Sequence, residues 1–254
     1  MVLEANQRVN VGGMIDAQGG TVNVDSQGAN FSGTIHATSA QYAMNDGDTF
    51  LHGSFSGDQS WADNLNIFVD GNLTVDGNAT ITADADNNLS GNFVQNNGTT
   101  VTADGLGISG VNVSLASLVS DGDVTVNAGG AIIDNNGNTI NVTAPSVHLN
   151  AGTDIGKGDP IESAIDQLFA HAGGNIGVNN KKNNLIVEDV YSSLGDIHLW
   201  TQGNIYLKSI VANGPNSYVD LKLSVAGGLS GAIIDANGDD LNLTALYAKT
   251  DVWY

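Results

Sequence analysis

The chain of 254 residues carries 7 Lys and Arg against 27 Asp and Glu, a formal net charge of −20, and no cysteine. A field of that sign repels phosphate backbones and anionic membranes, and Arg8, the single arginine, leaves no bidentate clamp for phosphate or carboxylate, so nucleic acids and anionic substrates are disfavoured. No apolar run approaches the roughly 18 residues of a spanning helix, which argues against membrane insertion of this segment.

The acids are mostly of one kind. Asp (24) and Asn (31) far outnumber Glu (3), and 33 glycines accompany them. Asn, Asp and Gly favour corners, whereas Val, Ile and Thr favour extended segments, so the composition describes many short strands joined by tight turns. The opening residues MVLEANQRVN lack the apolar region of a secretion signal. We expect an internal segment of a larger protein, with 1–254 forming one domain.

In chain order, the first distinctive phrase is Ile15-Asp16-Ala17-Gln18-Gly19-Gly20-Thr21-Val22-Asn23-Val24. Its pattern, Ile-Asp-x-x-Gly-x-x-apolar-Asn-apolar, returns at 133–142 and 234–243, at spacings of 118 and 101 residues. Such spacing suggests a super-repeat of roughly five turns. The aromatic-bearing stretch 46–68, with Phe50, Phe55, Trp61 and Phe68, matches no repeat and is expected to be a loop or insertion.

From Gly71 onward a shorter phrase recurs: Gly, Asx, apolar, any, apolar. Its copies begin at Gly71, Gly77, Gly122, Gly174, Gly195 and Gly203, the last two only eight residues apart in GDIHLWTQGNIYL. Each copy has the two-residue alternation of a half-buried strand. One segment breaks the rule. Asp159 as N-cap, Pro160 at the first helical position, Glu162 closing a capping box, and Ile161, Ile165 and Leu168 on one face predict a short helix at about 160–170.

Fixed-period self-similarity means a solenoid, a propeller or an array. A propeller needs an aromatic signature recurring in phase, which is absent, and a chain of hairpins would centre Asn-Gly or Asp-Gly between strands, whereas here Gly and Asx immediately precede them. The order suits the corners of a parallel β-helix, an all-β solenoid with apolar residues lining its interior and polar residues stacked outside. In GDIHLWTQGNIYL this makes the halves successive strands of one coil, with Ile197, Leu199, Ile205 and Leu207 inward.

Over 105–250, with GDVTVNAGGAIID and a later AGTDIG followed by a proline-led segment, the chain resembles the repeat region of filamentous-haemagglutinin-like bacterial surface exoproteins. That resemblance implies a right-handed parallel β-helix shaft, extracellular and at the bacterial cell surface, exported by two-partner secretion, and adhesive or matrix-forming. It implies partners on a host or neighbouring cell, either protein or glycan.

The chemistry-bearing candidates are few. Right-handed β-helices also host glycan-active enzymes that work through paired carboxylates, but the Asp pairs here (46/48, 84/86, 121/123, 239/240) lie in Gly/Asn corners, where turn capping is the commoner role. No catalytic residue is assigned. The oxygen-rich turn with Asp235, Asn237 and Asp239 suits calcium, and the turn from Asp134 to Asn138 is a weaker version, although neither is a complete EF-hand loop and a solvated corner is the simpler reading. Outward His198, Trp200 and Tyr206 are candidates for contacting a sugar or protein, or for an aromatic ladder that only stabilises the shaft. The expected function is thus a non-catalytic stalk or adhesive segment, with end-to-end self-assembly into a filament or matrix as the first alternative and a glycan-active enzyme as the second.

Overall fold

A computed structural model describes residues 1–223 and, beyond them, the strands Leu229–Gly231, Ile234–Ala236 and Asp240–Ala245; side chains are described for residues up to 222, except Gln18. The protein is all-β: parallel strands stack as a β-solenoid of about 11 turns, and none of the described residues is helical.

Pairing is residue over residue, in three columns of strands. One column runs through Ile67, Phe93, Val113, Ile132, Ile155, Ile176, Ile197 and Val219. A second includes Leu73, Val101, Leu118 and Val142. The third links Tyr42, Trp61, Ile81, Ile108, Val126, Leu149, Ala170, Val190 and Ile210. Because side chains alternate along a strand, one face of each column points inward, and the inward residues join in one continuous apolar core.

Copies of the Gly-Asx phrase open several of these strands, among them Gly174-Asn175 and Gly195-Asp196. Asx residues at such entrances form a ladder, the side-chain oxygen on one coil accepting from the backbone N–H of the equivalent residue on the next. Asn66 Oδ1 accepts from Asn92 N at 2.9 Å, and Asn92 Oδ1 accepts from Asn112 N at 3.0 Å. Each of these asparagines also donates Nδ2 to the residue before it: Asn66 to Asp48 Oδ1 at 2.9 Å, Asn92 to Asn66 at 3.2 Å and Asn112 to Asn92 at 3.1 Å. Asn112 Oδ1 passes the pattern on to Ala131 N, and it starts again with Asp154, Asn175 and Asp196, ending on Tyr218 N. The preceding glycine answers a steric demand: a Cβ on Gly195 would lie 2.4 Å from the backbone carbon of Gly174 on the coil below. In GDIHLWTQGNIYL, Ile197–Thr201 and Asn204–Leu207 are successive strands of one coil, and Ile197, Leu199, Ile205 and Leu207 are buried.

Three expectations need correction. The segment expected as a helix at 160–170 is the strand Ile161–Ala172, paired with Val142–Ala151 on one side and with Ile176–Asn180 and Asn184–Ser192 on the other. Ile161, Ser163 and Ile165 are buried, with Glu162 buried between the first two, and Leu168, Ala170 and Ala172 are buried in alternation, so that the phase shifts between the two runs. A strand with a phase slip of one residue therefore imitated a helical face. The stretch 46–68 is not a loop leaving the shaft: Thr49–Asp63 is a long strand paired on both sides, and its Phe55 and Trp61 fill the interior beside Tyr42. Its large side chains replace the aliphatic residues of other coils, which is why it matches no repeat.

The long phrase also means something different from a super-repeat. Ile15, Ile133 and Ile234 fall in three different columns, stacked on Ile35, Ser114 and Ile210 respectively. What the two fully described copies share is a glycine in the left-handed region, Gly19 at φ 69° and Gly137 at φ 62°. The phrase specifies a kind of corner, and not a place in the coil.

Replacing Asn92 by Ala removes the acceptor for Asn112 N and is expected to cost about 1–3 kcal/mol, read by urea denaturation; an unchanged midpoint would contradict the structural role of the ladder. A second prediction concerns Asp63, fully buried, whose carboxyl burial pushes up to about 6 against the pull of the Leu65 N–H. A raised carboxyl pKa stabilises the fold fully below the unfolded value of 3.8, and this contribution is lost as pH rises through about 6. Asp63→Asn should therefore gain on the order of 1 kcal/mol relative to wild type at pH 8, with screening allowed for, and nothing at pH 4.

Candidate functional site

The outward residues singled out in the sequence divide between two strands. His198 and Trp200 stand on Ile197–Thr201, where the ring centroids are 6.2 Å apart, while Tyr206 stands on the next strand of the coil, 44% exposed. The partner that the structure gives His198 is instead Tyr218, one coil further on. Their rings meet edge to face at 5.1 Å, with the Tyr218 hydroxyl 3.2 Å from Nε2, and Asp220 Oδ2 lies 3.6 Å from Nδ1. Lys222 Nζ sits 5.6 Å above the Trp200 ring. Tyr218 escaped notice in the sequence because no Gly-Asx pair introduces its strand. These contacts between coils make His198, Trp200 and Tyr218 part of the shaft's own outer stacking.

Of the calcium candidates in 234–243, Asp235 lies on the strand Ile234–Ala236, and Asn237 and Asp239 lie outside the described residues. The weaker candidate, Asp134, has a fuller setting than its sequence suggested. Asp134, Asp159 and Glu162 bring carboxylate oxygens within 4.8 Å of one another. Asp134 ends one strand, Asp159 lies on the loop of the next coil, and Glu162 is the second residue of the strand that follows.

Asn141 organises this corner. It is fully buried, donates Nδ2 to Asp134 Oδ1 at 2.6 Å, and accepts at Oδ1 from Glu162 N at 2.8 Å. Asp134 Oδ1 also takes Asn136 N at 2.8 Å, and Glu162 Oε1 takes Asn179 Nδ2 at 3.3 Å, with Lys181 Nζ at 3.7 Å. The second oxygens, Asp134 Oδ2 and Glu162 Oε2, are buried without a hydrogen-bond donor. Burial holds both carboxyls above the usual range, partly offset at Asp134 by Asn141 and at Glu162 by the Lys181 ammonium.

A groove of about 520 Å³ lies elsewhere, along the exit of the third column. Ser109, Asn127, Asn150, His171 and Tyr191 stack in register along its floor, one from each of five successive coils. The loop at 84–91 closes one end, held by Asp84 Oδ1, which accepts from Leu89 N at 3.0 Å and Ser90 N at 3.3 Å. His171 Nε2 lies 2.9 Å from Asp189 Oδ2. Sequence reasoning missed this groove because its residues sit 18 to 23 apart, at intervals that become regular only once the coil-to-coil register is known. No protein-family model, curated protein or solved structure matches the chain.

A double-mutant cycle at His198 and Tyr218 separates ladder from free binding surface. We expect a coupling of about 0.5–1.5 kcal/mol in folding stability; a coupling of zero would return these rings to the status of an unengaged surface.

Proposed function

We propose that this chain is a non-catalytic, extracellular stalk segment of a large bacterial surface adhesin, and that the groove beside the 84–91 loop is its contact surface. The observation that carries the reading is the parallel stacking of coil on coil, with local register shifts such as those at Leu51/Gly53 and Leu168/Phe169, which spends the chain on length and on a repeating outer surface. Along the groove, Ser109, Asn127, Asn150, His171 and Tyr191 present hydroxyl, amide and ring groups at one-coil spacing, about 4.8 Å. That interval is comparable to one sugar unit of an extended glycan, and amides with an aromatic ring are suited to hydroxyl-rich ligands. The acidic surface favours a neutral or cationic glycan over an anionic one.

A second reading is end-to-end assembly, in which an unpaired strand edge of one solenoid accepts the edge of another.

One set of measurements addresses both. On a glycan array the chain is expected to retain a neutral glycan, with binding reduced about tenfold or more when Asn150 is replaced by Leu, and to leave that glycan's length unchanged. Shortening of the glycan, abolished by His171→Ala, would contradict the non-catalytic reading. In electron micrographs isolated rods favour the stalk, whereas ordered polymers favour assembly.

A further inference from the structure

We infer that Asp134, Asp159 and Glu162 form a binding site for one calcium ion, which clamps two neighbouring coils together at the corner they share. The acidic cluster alone would not carry this assignment. The deciding observation is Glu162, 1% exposed, whose Oε2 has no donor, together with the equally unpartnered Asp134 Oδ2. A buried anionic oxygen without a partner is costly, and protein donors already occupy the other oxygen of each carboxylate. Asp134, Asp159 and Glu162 each bring one carboxylate oxygen into a single small volume, these atoms no more than 4.8 Å apart. Oxygens bound to a common calcium at 2.3–2.6 Å lie within about 5 Å of each other.

The surrounding chain is arranged for such a clamp. Between Asp134 and Val142, and again between Ile155 and Ile161, the path takes extra residues at the same corner, so that Ile132 pairs with Ile155 at 23 residues but Ile161 pairs with Val178 at only 17. These two loops supply Asp134 from one coil and Asp159 from the next, and Glu162 enters from the strand that follows Asp159 on that same coil. Lys181 Nζ, 3.7 Å from Glu162 Oε1, compensates part of the charge from a third coil. An all-oxygen donor set selects a hard cation. Asp159 is exposed on its loop and can adjust to the larger, irregular shell of calcium, whereas magnesium demands near-octahedral geometry and sheds water reluctantly.

The test uses the whole chain, freed of metal with a chelator and titrated calorimetrically with CaCl2 or MgCl2 at matched ionic strength, because a net charge of −20 attracts divalent cations non-specifically. One saturable calcium site is expected, with a melting temperature that rises with calcium concentration. Glu162→Gln should abolish the site and melt higher than wild type when metal is absent, since it removes a buried charge. Asp159→Asn, an exposed change that leaves the core intact, should weaken calcium about tenfold or more, and it carries the test if Glu162→Gln does not fold. Asp86→Asn, the same charge change on an exposed turn, should leave affinity unchanged. Absence of saturable binding, or equal affinity in wild type and Asp159→Asn, overturns the site; magnesium binding as tightly as calcium overturns the choice of ion.

Discussion

The structure depends on one constraint: each residue of a coil sits about 4.8 Å above its counterpart on the coil before. Any side chain that recurs in a column must therefore tolerate its own kind as a neighbour. Aliphatic residues do so inside, as in the column from Ile67 to Val219. Asparagine does so outside, because it both donates and accepts. Aspartate only accepts, and it stands where a ladder begins, as Asp48 and Asp154, or where the next coil offers a backbone N–H alone, as Asp196 below Tyr218. Elsewhere acids meet imidazole or ammonium groups on adjacent coils, as in His52–Asp70, His171–Asp189, Lys182–Asp166 and Lys208–Glu188. Such exposed pairs contribute little each, about 0–1 kcal/mol, but they keep like charges from stacking.

The candidate sites lie where this regularity is relaxed. The columns are rigid and uniform, while the corners take up variation in coil length: Ile81 stacks on Ile108 at 27 residues, yet Leu106 stacks on Val124 at 18. The extra residues form the loop that ends the groove and the pair of loops that brings the carboxylates together. Buried amides make these corners affordable in hydrogen-bond terms. Gln95, Asn141 and Asn180, each fully buried, bond to backbone groups that a corner leaves unpaired.

How far the sequence revealed this follows from the same division. The Gly-Asx phrase was legible as a coil strand because both residues answer local demands, a close backbone approach and an N–H needing an acceptor. The inward set of GDIHLWTQGNIYL was legible from alternation. Register was not, since it depends on corner length: ATITAD at 79–84 resembles TTVTAD at 99–104, an offset that would align Ile81 with Val101, whereas the fold places Ile81 against Ile108. For the same reason the groove residues, and the meeting of Asp134 with Asp159 and Glu162, could not be read from spacing. Asp159 and Glu162 were visible as a capping pattern, and their local order was compatible with a helix; pairing on both sides decided for a strand.

The absence of cysteine allows spin labels to be placed at will. Gln41, Ser60, Thr80, Gly107, Thr125, His148 and Phe169 occupy one column position in successive coils. With one label at Gln41 and the other at Thr125, His148 or Phe169, double electron–electron resonance should give mean distances near 19, 24 and 29 Å, rising by about one coil height per step. Distances that fail to rise by a constant increment along this series would contradict the coil-on-coil register from which the ladders, the groove and the carboxylate corner all follow.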